Sequence, residues 1–83
     1  MNRLEALYLI SAFANENGYA ISYRELSDAL GVSLDTVHRL LASLRADALV
    51  DFNDREGRTV HLTNAGKSVL TYEQVFGIMQ GIE

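Results

Sequence analysis

Apolar residues recur along this chain with two different periods, and the switch between them divides it into elements. In residues 33–47, SLDTVHRLLASLRAD, Leu41 and Leu44 fall within about 40° of Val37 when residues are stepped at 100°. That is the single stripe of a helix. Asp35, Thr36, Arg39, Ala42, Ser43 and Ala46 fall on the far side, so the outward face is slim and mostly small or polar. A helix with such a face could enter a groove about 12 Å wide, or pack closely against another protein.

Residues 2–16 form an earlier helical pattern. Leu4, Leu7, Tyr8, Ser11 and Ala12 share one face, and Leu9, Ile10 and Phe13 spread the apolar surface nearly all the way round. Such a helix is buried on more than one side, which in a small domain implies cover from a second chain. Asn17-Gly18 ends it, with the glycine able to take positive φ. Residues 19–21, Tyr-Ala-Ile, read as a very short strand. Ser22 opens a second helix with Glu25 three residues on, the spacing of a reciprocal capping box. Leu26, Ala29 and Leu30 give that helix its apolar face, Gly31 stops it, and Ser33 is placed to cap the next. Two short helices joined through Gly-Val-Ser are what a helix-turn-helix requires.

After residue 47 the period becomes two. Val50 and Phe52 alternate with Leu49, Asp51 and Asn53, and in a second run, 58–62, Val60 and Leu62 share one side. The two runs predict a hairpin around the charged turn Asp54-Arg55-Glu56-Gly57. Thr63 can cap a last helix over 64–80, with Ala65, Val69, Tyr72, Phe76 and Met79 as its stripe, Leu70 and Ile78 widening it, and Gly66 and Gly77 lowering its intrinsic stability. The expected class is α+β, mostly α, in the order helix-strand-helix-helix-hairpin-helix. One domain would span 1–83, with the helix-turn-helix at 22–47 and the hairpin at 48–62.

Composition narrows the chemistry. Eighty-three residues, 48% of them hydrophobic, supply one modest core. With no cysteine there is no disulfide framework or thiolate zinc site, and His38 and His61 lack metal-ligand spacing, so no metal or cofactor is expected. Apolar runs fall far short of the roughly 18 residues of a membrane span, which makes a cytoplasmic protein without a membrane partner the default expectation. Seven basic against eleven acidic residues give −4, the wrong sign for a protein that coats nucleic acid indiscriminately. Residues 33–67 are nonetheless neutral, because Arg39, Arg45, Arg55, Arg58 and Lys67 balance Asp35, Asp47, Asp51, Asp54 and Glu56. Catalytic carboxylate pairs, nucleophile-base arrangements and glycine-rich phosphate loops are missing, so an enzyme is not expected.

Three stretches carry a resemblance: YRELSDALGVS, SLDTVHRLLASLRADALV and DREGRTVHLTNAGK. With Thr36-Val37-x-Arg39-x-Leu41 and Leu62-Thr63-x-x-Gly66 inside them, the chain resembles the winged helix-turn-helix transcriptional regulators, most closely the MarR-like group, over about residues 4–76. The resemblance implies a dimeric regulator, such as a repressor, that binds double-stranded DNA with its third helix in the major groove and its wing on the adjacent minor groove or backbone. Carried onto this chain, it makes Ser33, Asp35, Thr36, Arg39 and Ser43 the groove face and Arg55 and Arg58 the wing contacts, with Lys67 a further phosphate contact. Leu9, Ile10, Phe13, Tyr72, Phe76 and Met79 become the homodimer interface. Two departures stand out: Ala48 occupies the place of a usual glycine before the wing, and the flanking helices are short. Leu34 and Leu40 are expected to pack beside the core stripe, and both histidines to be ordinary edge residues. The net charge and Asp35 keep a second function open, a winged-helix protein-interaction module that does not touch DNA.

Overall fold

Hydroxyl side chains set the starts of three helices. The computed structural model describes residues 3–53 and 58–77, and within them the chain runs α1 (Arg3–Asn17), β1 (Ile21–Ser22), α2 (Tyr23–Leu30), α3 (Leu34–Ala46), β2 (Val50–Asn53), β3 (Thr59–Leu62) and α4 (Asn64–Tyr72), the last continuing as a π-helical turn over Glu73–Gly77. The Ser22 hydroxyl accepts from the Glu25 N–H while the Glu25 carboxylate accepts from the Ser22 N–H, both at 3.1 Å, which completes the expected capping box. Ser33 accepts from the Thr36 N–H at 3.2 Å, and Thr63 from the Gly66 N–H at 3.1 Å. Each such cap is worth about 1 kcal/mol. Gly31 closes α2 at φ 68°, the left-handed conformation that costs glycine nothing.

The short strand lies at Ile21–Ser22 rather than over 19–21, and it has a partner that periodicity does not reveal. It pairs antiparallel with β3, which also pairs antiparallel with β2, so the sheet order is β1-β3-β2. Val60 is thereby flanked by Ile21 on one side and Phe52 on the other, while Val50 lies opposite Leu62. The alternation read from the sequence gives the inward face correctly, since Val50, Val60 and Leu62 are all buried.

One core joins every element. Ala6, Leu7 and Ile10 of α1 meet Leu26 of α2, the Val37-Leu41-Leu44 stripe of α3, the inward sheet residues and Leu70 of α4. Burying each of these larger aliphatic side chains contributes roughly 1.5–3 kcal/mol before chain entropy is counted.

Two expectations about helix faces need correction. In α1 the inward face is centred on Leu7 and Ile10, with Tyr8 turned outward at 52% exposure. Ile10, expected at an interface with a second chain, is 1% exposed and belongs to the core. In α4 the inward residues are Gly66 and Leu70, and the stripe Ala65-Val69-Tyr72-Phe76 faces out. The cause is a close approach: a Cβ on Gly66 would stand 2.1 Å from the Leu49 carbonyl oxygen, so this backbone contact fixes the rotation of α4 and turns Leu70, four residues on, into the core. Met79, also expected at the interface, lies outside the described residues, as does the end of the helix expected to reach residue 80.

Candidate nucleic-acid interface

The core stripe of α3 leaves its other side open. Val37, Leu41 and Leu44 are 0–1% exposed, whereas Ser33, Asp35, Arg39, Ala42, Ser43 and Ala46 are exposed and Thr36 is half-buried. Ser33, Asp35, Thr36, Arg39 and Ser43 therefore gather on one outward surface. At its N-terminal end the Ser33 and Thr36 hydroxyls lie 3.1 Å apart, beside the first backbone N–H groups of the helix. That end can accept an anion. Arg39 and Asp35 form an i,i+4 ion pair at 3.2 Å with both side chains largely in solvent, 82% and 74% exposed. A pair so exposed contributes only about 0.3–0.5 kcal/mol, so the guanidinium is readily released to another acceptor. Leu34, expected to pack beside the core, is instead 40% exposed on the first turn of α3, whereas Leu40 does pack against the core.

A chain of rings ties this helix to the hairpin. Tyr23, the first residue of α2, is 6% exposed and stands edge-to-face with His38 of α3 at 5.3 Å and with Phe52 of β2 at 5.8 Å. The Arg45 guanidinium lies 4.9 Å from the centre of the Phe52 ring, a cation–π contact from the last turn of α3. His38 is thus an edge residue, as expected, but one with a defined aromatic partner. The sequence held a signal for this cluster, an aromatic at the start of α2 and another at an inward strand position, that helical periodicity alone passes over.

At the hairpin, Arg58 is exposed and sits at φ 49°, a left-handed conformation unusual for a side chain of its size. Its carbonyl accepts from the Tyr23 N–H at 3.0 Å, so the hairpin exit is anchored to the start of α2. Arg55 lies outside the described residues. Lys67 is exposed but is not brought to the α3 surface. It lines an open cleft of about 610 Å³ between α1 and α4 with Ser11, Asn15 and Thr71, and α3 contributes nothing to that lining.

Helices α2 and α3 joined through Gly31, with a β2–β3 hairpin behind them and helices on either flank, make a winged helix-turn-helix fold. No protein-family model and no curated protein sequence matches this chain. Solved structures do. A MepR variant from a multidrug-resistant S. aureus clinical isolate superposes with a TM-score of 0.79 at 19% identity, over 96% of this chain and 59% of that one. The M. tuberculosis transcriptional regulator MOSR, in complex with DNA, gives 0.79 at 25% identity, over 96% of this chain and 58% of that one. The reduced form of MarR from E. coli gives 0.73 at 28% identity, over 90% and 55%. This chain therefore spans less than two thirds of the length of the regulators it resembles.

Among the described residues no helix is long and apolar enough to cross a membrane, and no group of three or more histidine, cysteine, aspartate or glutamate side chains is placed to hold a metal ion.

Proposed function

We propose that this protein is a transcriptional regulator that binds double-stranded DNA sequence-specifically as a homodimer. In this reading α3 enters the major groove, and the hairpin lies on the adjacent minor groove or backbone. The observation that carries it is the slim outward face of α3, on which Arg39 projects with an 82% exposed side chain. A similar fold occurs in a regulator solved in complex with DNA, at 25% identity. Ser33, Thr36 and Ser43 would donate to phosphates or base edges, and Arg39 would fork onto a guanine or clamp a phosphate. Arg55 and Arg58 would serve the wing, and Lys67 would add a phosphate contact if the duplex extends past the helix-turn-helix.

Dimerisation is the second half of the proposal. Tyr72 and Phe76 stack with ring centres 4.5 Å apart and remain 61% and 46% exposed, with Val69 and Val75 exposed beside them. Together with Tyr8 they are the larger part of the exposed large hydrophobic side chains among the described residues, whereas Leu9 and Phe13, also expected at the interface, are partly buried against the core. Two copies joined there would offer two α3 helices to half-sites about 34 Å apart and double the phosphate contacts available to a chain of net charge −4.

A protein-interaction module is the second reading, and the same −4 charge, with Asp35 beside Arg39, favours it. A mobility-shift titration against duplex from upstream of the protein's own gene, at two salt concentrations, separates the two. Binding should weaken about tenfold or more between 50 and 200 mM salt, because phosphate contacts release counterions. Arg39→Ala should cost about 1–3 kcal/mol, or roughly 5- to 150-fold in Kd. No shift at the lower salt would leave the interaction-module reading standing, and an Arg39→Ala protein that binds unchanged would refute the groove contact given to Arg39.

A further inference from the structure

We propose that Asp35 is a specificity-determining residue that makes Arg39 read bases rather than phosphates; this rests on the DNA-binding reading above. Three observations combine. The Asp35 carboxylate holds Arg39 at 3.2 Å on the exposed face of α3. Arg45, the other cation of α3, has its guanidinium over the Phe52 ring at 4.9 Å, which draws it to the hairpin. Thr36, Ala42, Ser43 and Ala46, which share the outward face with this pair, are uncharged, and the exposed His38 on its flank packs against the Tyr23 ring. The charge of the groove face is therefore zero, with the negative member one helical turn from the positive one.

Electrostatics sorts the possible acceptors for Arg39. A phosphate that approaches the guanidinium must also approach Asp35, so the attraction is largely cancelled by repulsion. The O6 and N7 edge of a guanine carries no net charge and meets no such penalty, and a bidentate guanidinium matches its geometry. Asp35 then gains a compatible partner of its own, since a carboxylate accepts from the N4 amino group of a cytosine. The pair is loose enough to exchange partners, because exposed i,i+4 ion pairs are weak. A carboxylate here lowers affinity for DNA in general and raises the contrast between a G·C-containing step and every other sequence. Asp35 is thus a filter, and Arg39 is the reader.

The test uses duplexes selected from a random pool by the full-length wild-type protein, with scrambled duplexes of equal length beside them. Equilibrium binding is measured for wild type, Asp35→Asn and Asp35→Ser at 50 and 150 mM salt. Both substitutions should tighten binding to scrambled duplex by about 3- to 10-fold and steepen its log–log salt dependence by about one unit, because one more phosphate becomes available to Arg39. Binding to the selected duplex should stay level or weaken, so the specificity ratio falls by roughly tenfold or more. An unchanged ratio in both variants, with wild type still selecting a sequence, overturns the role of Asp35 alone. A proportional loss on both duplexes does the same, since it marks a contact that carries no discrimination. If wild type binds neither duplex at 50 mM, the DNA reading falls and this inference with it.

Discussion

Replacing Gly66 with alanine tests how the last helix is set against the wing. Helix propensity favours the change, because alanine is about 0.8–1 kcal/mol better than glycine in a helix interior. Geometry opposes it. The new Cβ would lie 2.1 Å from the Leu49 carbonyl oxygen, 3.1 Å from the Leu49 carbonyl carbon and 3.5 Å from its Cα. All three are backbone atoms, so no side chain can rotate out of the way. The helix or the strand entry must retreat by about 1 Å before the contact becomes tolerable, a distortion in the overpacking range of roughly 1–3 kcal/mol or more.

The same carbonyl accepts from the Thr63 N–H at 3.1 Å, and the Thr63 hydroxyl donates to the Ala48 carbonyl. Moving α4 outward by that distance loosens both bonds, each worth about 1 kcal/mol. The strain and the lost bonds together reach about 3–4 kcal/mol, and subtracting the propensity gain leaves a net loss of about 2–3 kcal/mol. For a domain of this size that lowers Tm by roughly 8–24 °C. Thermal unfolding followed by circular dichroism reads the effect, with Ser68→Ala as the control for propensity at an exposed helical position. A Gly66→Ala protein melting within about 2 °C of wild type would show that the approach of α4 to Leu49 is not a constraint, since 1 kcal/mol alone shifts Tm by more than that.

Two further outcomes follow from other positions. Ala48 sits at φ 58°, so Ala48→Gly should remove left-handed strain and raise stability by up to about 1 kcal/mol, seen as a Tm several degrees higher. Tyr72→Glu places a charge in the exposed aromatic pair and, being 61% exposed, should leave the monomer folded while shifting sedimentation at tens of micromolar from dimer to monomer; a wild-type protein that is itself monomeric there would refute the proposed interface.

Local signals in this sequence carried the fold further than they carried the faces. Ser22 with Glu25, Gly31, Ser33 and Thr63 act over three or four residues, and all do in the structure what their spacing implies. The alternation at Val50, Phe52, Val60 and Leu62 is equally local and gives the sheet its inward side. Rotation of α1 and α4 is decided by partners far away in the chain. Ile10, expected at an interface, lies in the core because α1 has apolar residues on nearly every side, so its own pattern does not choose a core face. Gly66 read as a weak helix former because a missing side chain gives no hint of the carbonyl it must admit. On the candidate interface, the outward placement of Asp35, Arg39 and Ser43 was legible from helical spacing. The separation of Lys67 from them was not, because it depends on where α4 docks against α1.

The rings between α2, α3 and β2 have a mechanical consequence. Tyr23 braces His38 on one side and Phe52 on the other, and Arg45 closes the circuit back to α3. Three elements braced in this way form a triangulated frame. Tilting the helix away from the hairpin would break these ring contacts, so they favour one spacing between the two. Any surface received by both must already have the matching spacing, or must itself bend to acquire it. On a DNA duplex that bending energy depends on the stiffness of the intervening base steps, so sequence would be weighed at positions no side chain touches.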